Sequence, residues 1–208
     1  MDFDECIVRL KNAFNNPLPG YAAQQKLAPV HRASTSRYLQ RNPAYKIGCV
    51  MIILFPVNNQ PHVLMIERTP GTHAHAGQIG FPGGKRELDD ATLIDTALRE
   101  TYEETGIDPS SIKILGELTE LYIPVSNFLV HPFVGVLEML HPFVLSTAEV
   151  KSVLTPPLGR FIYPQEKNFH EFTSYDGTII KAPYYAFEQH KIWGASAMML
   201  SELCSLLA

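Results

Sequence analysis

Residues 77–107 read GQIGFPGGKRELDDATLIDTALRETYEETGI. Near the end of that stretch Arg99, Glu100, Glu103, Glu104 and Gly106 spell R-E-x-x-E-E-x-G, downstream of the pair Gly83-Gly84. Glutamates at i, i+3 and i+4 fall on one face of a helix. Their repulsion destabilises that helix by roughly a few tenths of a kcal/mol per pair, and a negative charge in the last turn opposes the helix dipole. A sequence that accepts both penalties gains from concentrated carboxylate oxygens, the ligands of hard divalent cations. Asp89 or Asp90 caps the helix, Ile94, Ala97, Leu98 and Thr101 form its inner face, and Gly106 suits its stop. Phe81-Pro82-Gly83-Gly84 predicts a rigid turn followed by two residues free to take φ > 0 and expose backbone N–H groups. Such a loop feeding an acid-faced helix suits a metal–phosphate site.

Working outward, Lys46–Val57 is a β-rich run, a buried central strand. Asn58-Asn59-Gln60-Pro61 is a turn, and residues 62–69 a second strand, so 46–69 reads as a hairpin. A short strand is expected around residues 78–81. Residues 112–123 and 131–139 read as further strands. Ser146-Thr147-Ala148-Glu149 resembles a helix start ended by Pro156-Pro157. Residues 160–187 form a hairpin about Asp176-Gly177. Apolar residues at Ala195, Met198, Met199, Leu203 and Leu206 make a helical stripe, which serves the core or a dimer surface. At the N-terminus, Phe3, Ile7, Leu10 and Phe14 have helical spacing, Pro17 and Pro19 stop that helix, and residues 21–44 read as an extended arm. Helices mixed with hairpins give an α+β or mixed α/β class.

The chain has 208 residues, 46% hydrophobic and 18% charged, a globular composition. A net charge of −4 argues against a broad nucleic-acid footprint. Cys6, Cys49 and Cys204 are odd in number and widely spaced, which suits free thiols in a reducing compartment. The acidic start lacks a signal-peptide pattern, and no apolar run approaches the ~20 residues of a membrane span. A soluble, cytoplasmic protein is expected.

These motifs resemble the Nudix hydrolases, whose box is G-x5-E-x7-R-E-U-x-E-E-x-G-U with U apolar. Arg99, Glu100, Glu103, Glu104, Gly106 and Ile107 match its second half, with Thr101 in an apolar slot. Gly84 lies fifteen positions before Arg99, one more than the box has. The first box acid is absent, leaving Glu87 or Asp90 as substitutes. The same stretch is a habit of the coenzyme A pyrophosphatase branch, which Leu64, Met65, Arg68, Gly77 and Phe81-Pro82-Gly83-Gly84 also resemble. His73 stands where that branch has a second arginine. Residues 149–158 and 192–200 extend the likeness.

The resemblance implies an α/β/α sandwich with a mixed sheet over residues 45–208, and a helix and arm, residues 1–44, packed on it. It implies Mg2+- or Mn2+-dependent cleavage of a diphosphate in coenzyme A or a related nucleotide, with nucleotide sugars, ADP-ribose, dinucleoside polyphosphates or nucleoside triphosphates, or a non-catalytic nucleotide-binding module, as alternatives. Glu100, Glu103 and Glu104 would ligate the metal, and Arg99 would orient a glutamate. Glu149, or else Glu104, would be the general base. Arg68, His73, Gly83, Gly84 and Lys85 would meet the substrate. His75 and Arg86 are weighed as ordinary loop residues or phosphate contacts, and Trp193, Tyr184 and Tyr185 as core or adenine-stacking rings.

Overall fold

The computed structural model describes residues 1–41, 44–71, 75–140, 142–162, 168–173 and 177–208. Strand β1 (Lys46–Val57) is the centre of the molecule and is buried along most of its length. Asn58 and Asn59 both take left-handed φ, 50° and 61°. That two-residue turn folds β1 onto antiparallel β2 (Gln60–Val63). The chain then leaves this sheet. Strand β3 (Met65–Arg68) joins a second sheet between β4 (Ile79–Gly80) and β9 (Val150–Leu154). The expected hairpin is therefore split at Leu64 between two sheets.

The main sheet is mixed. Strand β5 (Gly83–Lys85) pairs antiparallel with the start of β1, and β8 (Phe128–Val136) pairs parallel with it from Lys46↔Phe128 to Leu54↔Val136. Strands β6 (Lys113–Glu117) and β7 (Leu121–Ile123) pair antiparallel with β8. Helix α4 (Leu93–Thr105) covers one face, where Cys49, Met51, Ile53 and Phe55 pack with Ala97 and Ile107. Helices α1 (Phe3–Phe14) and α6 (Gly194–Ser205) cover the other, where Ile52, Leu54, Val130 and Val134 pack with Leu10, Met198 and Leu203. Alternation of side chains along β1 assigns these two sets to opposite faces, and the result is the expected α/β/α sandwich. Met198 and Met199 are core residues, so the stripe serves the core.

Three expectations are corrected. Residues 21–44 are not an extended arm: they hold α2 (Gly20–Gln24), a 3-10 turn (Gln25–Leu27) and α3 (Thr35–Arg41). These are too short to show a hydrophobic period. The segment 146–149 starts no helix. It is a turn leading into β9, because Val150 and Val153 are β-branched and the strand completes the sheet of β3. The cap of α4 is Thr92, in a reciprocal box with Asp95. Helix α5 (Gly159–Ile162) links β9 to a third sheet, β10 (Asn168–Thr173), β11 (Ile179–Phe187) and β12 (His190–Trp193). Strands β10 and β11 pair as the predicted hairpin; Asp176 lies outside the described residues.

Candidate active site

The acid helix is fixed at both ends. Thr92 and Asp95 satisfy its first N–H groups, and Gly106 ends it at φ 74°. Its inward face is Thr96, Ala97, Thr101 and Glu104, with Glu104 only 1% exposed. Burial of a carboxyl there is compensated locally. Gly83 N–H donates to Glu104 Oε2 at 2.8 Å, and Arg68 Nη2 lies 3.3 Å from Oε1. The same Arg68 nitrogen donates to Gly83 O at 2.8 Å. Helix α4 and strand β5 are thus tied through one carboxylate and one guanidinium. Burial pushes the Glu104 carboxyl up to about 7; Arg68 and the Gly83 N–H oppose this, and the charges of Glu100 and Glu149 add to it.

Arg99 organises the remaining acids. Its Nε and Nη2 form a bidentate pair with Asp90, at 2.9 and 3.0 Å. Nη1 donates to Glu100 Oε1 at 3.0 Å and to Glu103 Oε2 at 3.1 Å, and Nη2 also reaches Lys85 O. Asp90 accepts from Glu87 N–H and Thr96 Oγ1 as well. The Arg99 hydrogen bond holds the Asp90 carboxyl well below the usual carboxylate range, against the effect of burial. Of the two substitutes for the first box acid, Asp90 is the one paired with Arg99. Glu100 is raised by burial, with Arg99 opposing and Glu103 and Glu149 adding to the rise.

The glycines act differently from the expected exposed N–H groups. The Gly83 N–H is taken by Glu104. A Cβ at Gly83 would lie 2.2 Å from Cys49 O, and one at Gly84 would lie 2.4 Å from Glu100 Oε2. Both positions need glycine so that β1 on one side and a carboxylate on the other can approach the backbone. Glu149 sits at the end of the 146–149 turn, its side chain exposed and its carbonyl bound to Thr69 N–H. Its charge acts on both Glu100 and Glu104. Arg68, Gly83, Gly84, Glu100, Glu104 and Glu149 therefore gather at one place. Glu103, 53% exposed, and Lys85 stand at its rim. His73 lies outside the described residues. His75 is bound to Gln78 and Ser126, and Arg86 reaches Asp90 O. Tyr185 packs in the core on Phe161, while Trp193 stacks on Phe172 at 3.9 Å. The Arg68–Glu104 tie was missed in the sequence because its members are 36 positions apart and follow no spacing rule.

As they stand, no three acidic, histidine or cysteine side chains among the described residues converge to ligating distance. The donor set nevertheless fits a divalent cation. Glu100 and Glu104 are each raised partly by the other acids around them, the mark of an excess of carboxylate that a cation relieves. Glu100 and Glu103 are turned toward Arg99.

Residues 47–177 match the family model described as NUDIX domain. Nudix hydrolase 3 of Caenorhabditis elegans is 28% identical over 198 residues, 88% of this chain and 82% of that protein. The Nudix hydrolase NudL of Salmonella paratyphi B is 34% identical over 154 residues, 73% of this chain and 79% of that one. The NUDIX domain of Shewanella oneidensis NrtR, solved with ADP ribose, superposes with a TM-score of 0.53 at 17% identity, over 85% of this chain and all of that domain. A MutT/nudix family protein from Enterococcus faecalis gives 0.53 at 16% identity, over 83% and 69%. Both solved structures speak to the fold.

Proposed function

Because the chain belongs to the Nudix hydrolase family and cuts phosphorus-containing anhydrides, we propose that its substrate is coenzyme A or a close nucleoside diphosphate derivative. Coenzyme A would yield 4′-phosphopantetheine and adenosine 3′,5′-bisphosphate. Support comes from the upstream pattern of Leu64, Met65, Arg68, Gly77 and Phe81–Gly84, whose Arg68 bridges Gly83 O and Glu104. The convergence of Glu100, Glu104 and Glu149 beside Gly83-Gly84 carries the catalytic part.

Glu100, Glu103 and Glu104 would hold Mg2+ or Mn2+, which stabilises charge on the diphosphate oxygens. Arg99, braced by Asp90, sets the orientation of Glu100 and Glu103. Glu149 is exposed beside the acids and takes the proton of the attacking water. Glu104, the second candidate base, already has one oxygen on the Gly83 N–H and the other beside Arg68, which favours an anchoring role. Gly83-Gly84, Lys85 and Arg68 form the substrate-side wall, and His73 is assigned to it by the sequence pattern alone. Residues 45–208 act as the catalytic unit, with 1–44 packed on it. Three buried free thiols accord with a reducing, cytoplasmic setting.

A second reading, ADP-ribose hydrolysis, is favoured by histidine at position 73, where the coenzyme A branch has arginine. Product analysis with both compounds, in Mg2+ and in Mn2+, separates the two. Coenzyme A should be favoured in kcat/KM by about tenfold or more. Coenzyme A as the poorer substrate rejects it.

A further inference from the structure

Arg32 lies between the 3-10 turn at Gln25–Leu27 and α3. Its Nη2 donates to Tyr122 O, and its guanidinium lies over the Tyr38 ring, 5.8 Å from the centroid. Its Nε is buried without a hydrogen-bond partner, and no other buried side-chain nitrogen or oxygen among the described residues is in that state. Nη1 makes no hydrogen bond among the described residues, and no carboxylate there lies within ion-pair distance. Arg68 and Arg99, by contrast, each face carboxylates. Burial lowers the pKa of Arg32, with Tyr38 and Tyr21 opposing. The side chain as a whole is half-buried, and folded proteins rarely leave a buried donor unpaired, so the guanidinium calls for a partner that the described residues do not supply.

Its position relates it to the acid cluster. Tyr122 pairs with Leu129, Leu129 pairs with Ile47, and Ile47 O accepts from Arg86 N–H. These four residues lie on one line across the sheet, about 14 Å from end to end at three strand spacings. Arg86 directly follows β5, the strand that holds Glu104. Ile47 packs in the cluster beneath α4, whereas Leu121 and Ile123, the neighbours of Tyr122, pack in the opposite cluster. Alternation therefore turns the Tyr122 ring to the α4 side. Tyr38 packs on that ring at 5.3 Å. Tyr38 thus stands on the same face of the sheet as the acid helix, with Arg32 beside it at the edge of β7.

We propose that Arg32 binds a phosphate of the substrate outside the linkage that is cut, and so selects nucleoside diphosphate derivatives that carry an extra phosphate. The assignment rests on the function proposed above and deepens it. A guanidinium offers a planar fork of donors matched to phosphate oxygens. The Tyr38 ring and the Tyr122 carbonyl hold that fork in place, so little order is lost when the anion arrives. Arg32 is a substrate-binding residue, remote from the reacting atoms.

Two measurements on the full chain test it. In Mg2+, kcat/KM is compared for coenzyme A and its 3′-dephospho form in wild type, Arg32→Gln and Arg32→Lys. Arg32→Gln should lose about 30-fold on coenzyme A and under about threefold on the dephospho form, with Arg32→Lys in between. Without turnover, adenosine 3′,5′-bisphosphate should raise the wild-type Tm more than 5′-AMP does, and Arg32→Gln should erase that difference. Equal losses on both substrates, or an unchanged preference for the bisphosphate, overturn the assignment and leave Arg32 a structural clamp on Tyr122. Wild type that cuts neither compound sinks the coenzyme A function alone, because the bisphosphate comparison still decides Arg32.

Discussion

Glu104 is an acid placed where its ionised form is disfavoured. Burial raises its carboxyl from the ordinary 4.5 to about 7. In the unfolded chain the group ionises near its ordinary value, so between those limits the folded state binds more protons. Stability from this group is complete below about pH 4.5 and is lost as pH rises through about 7, a loss of about 3 kcal/mol in metal-free protein. Asp90 has the opposite sign: its carboxyl is held down by Arg99, so its contribution is present at neutral pH and lost on acidification. Denaturant melts of wild type and Glu104→Gln, metal-free at pH 5 and pH 8, read the difference directly. The variant should lose the fall between the two pH values while turnover collapses. An unchanged pH slope would show that Glu104 is not the group responsible.

Among the elements, α6 carries an unusual anchor. Glu202 is fully buried, with no ion pair to it among the described residues. Its Oε1 accepts from Thr119 Oγ1 at 2.7 Å and from Gly20 N–H at 3.1 Å, and its Oε2 accepts from Gln24 Nε2 at 2.9 Å. One side chain therefore pins α2 and the β6–β7 connection to the C-terminal helix. Glu202→Ala should cost about 3 kcal/mol and make residues 20–41 the first site of proteolysis. Resistance there equal to wild type would show that the apolar contacts of Leu27 and Ala23 suffice. None of this was legible in the sequence, since a lone glutamate in a helix reads as a solvated charge. Elements with a full period were legible: β1 by its apolar run, α4 by its inner face and Gly106, and α1 and α6 by their stripes. Residues 21–44 were not, because helices of five and seven residues show too few turns. The α4 cap was ambiguous for another reason. Asp89, Asp90, Thr92 and Asp95 can all cap, and only the contacts chosen by Arg99 assign Asp90 elsewhere. The acidic face was plain from its spacing, while Arg68 and Arg32 gained meaning only once strands far apart in the chain were brought side by side.

At the scale of the whole molecule, a cation that binds the folded acids and not the unfolded chain stabilises by mass action. Mn2+ at about 100 times its Kd should raise Tm by about 5–10 °C, and Glu100→Gln combined with Glu104→Gln should abolish the rise. An undiminished rise in the double variant would place the ion elsewhere. Among the described residues no helix is long and apolar enough to cross a membrane. The placing of the apolar core has a practical edge. The sheet face bearing Ile52, Leu54, Val130 and Val134 is shielded by Cys6, Leu10, Met198 and Leu203, all of which lie outside the matched residues 47–177. A fragment trimmed to those limits would present a bare greasy wall to water and precipitate, so the family's sequence borders mark homology here and not an autonomous folding unit.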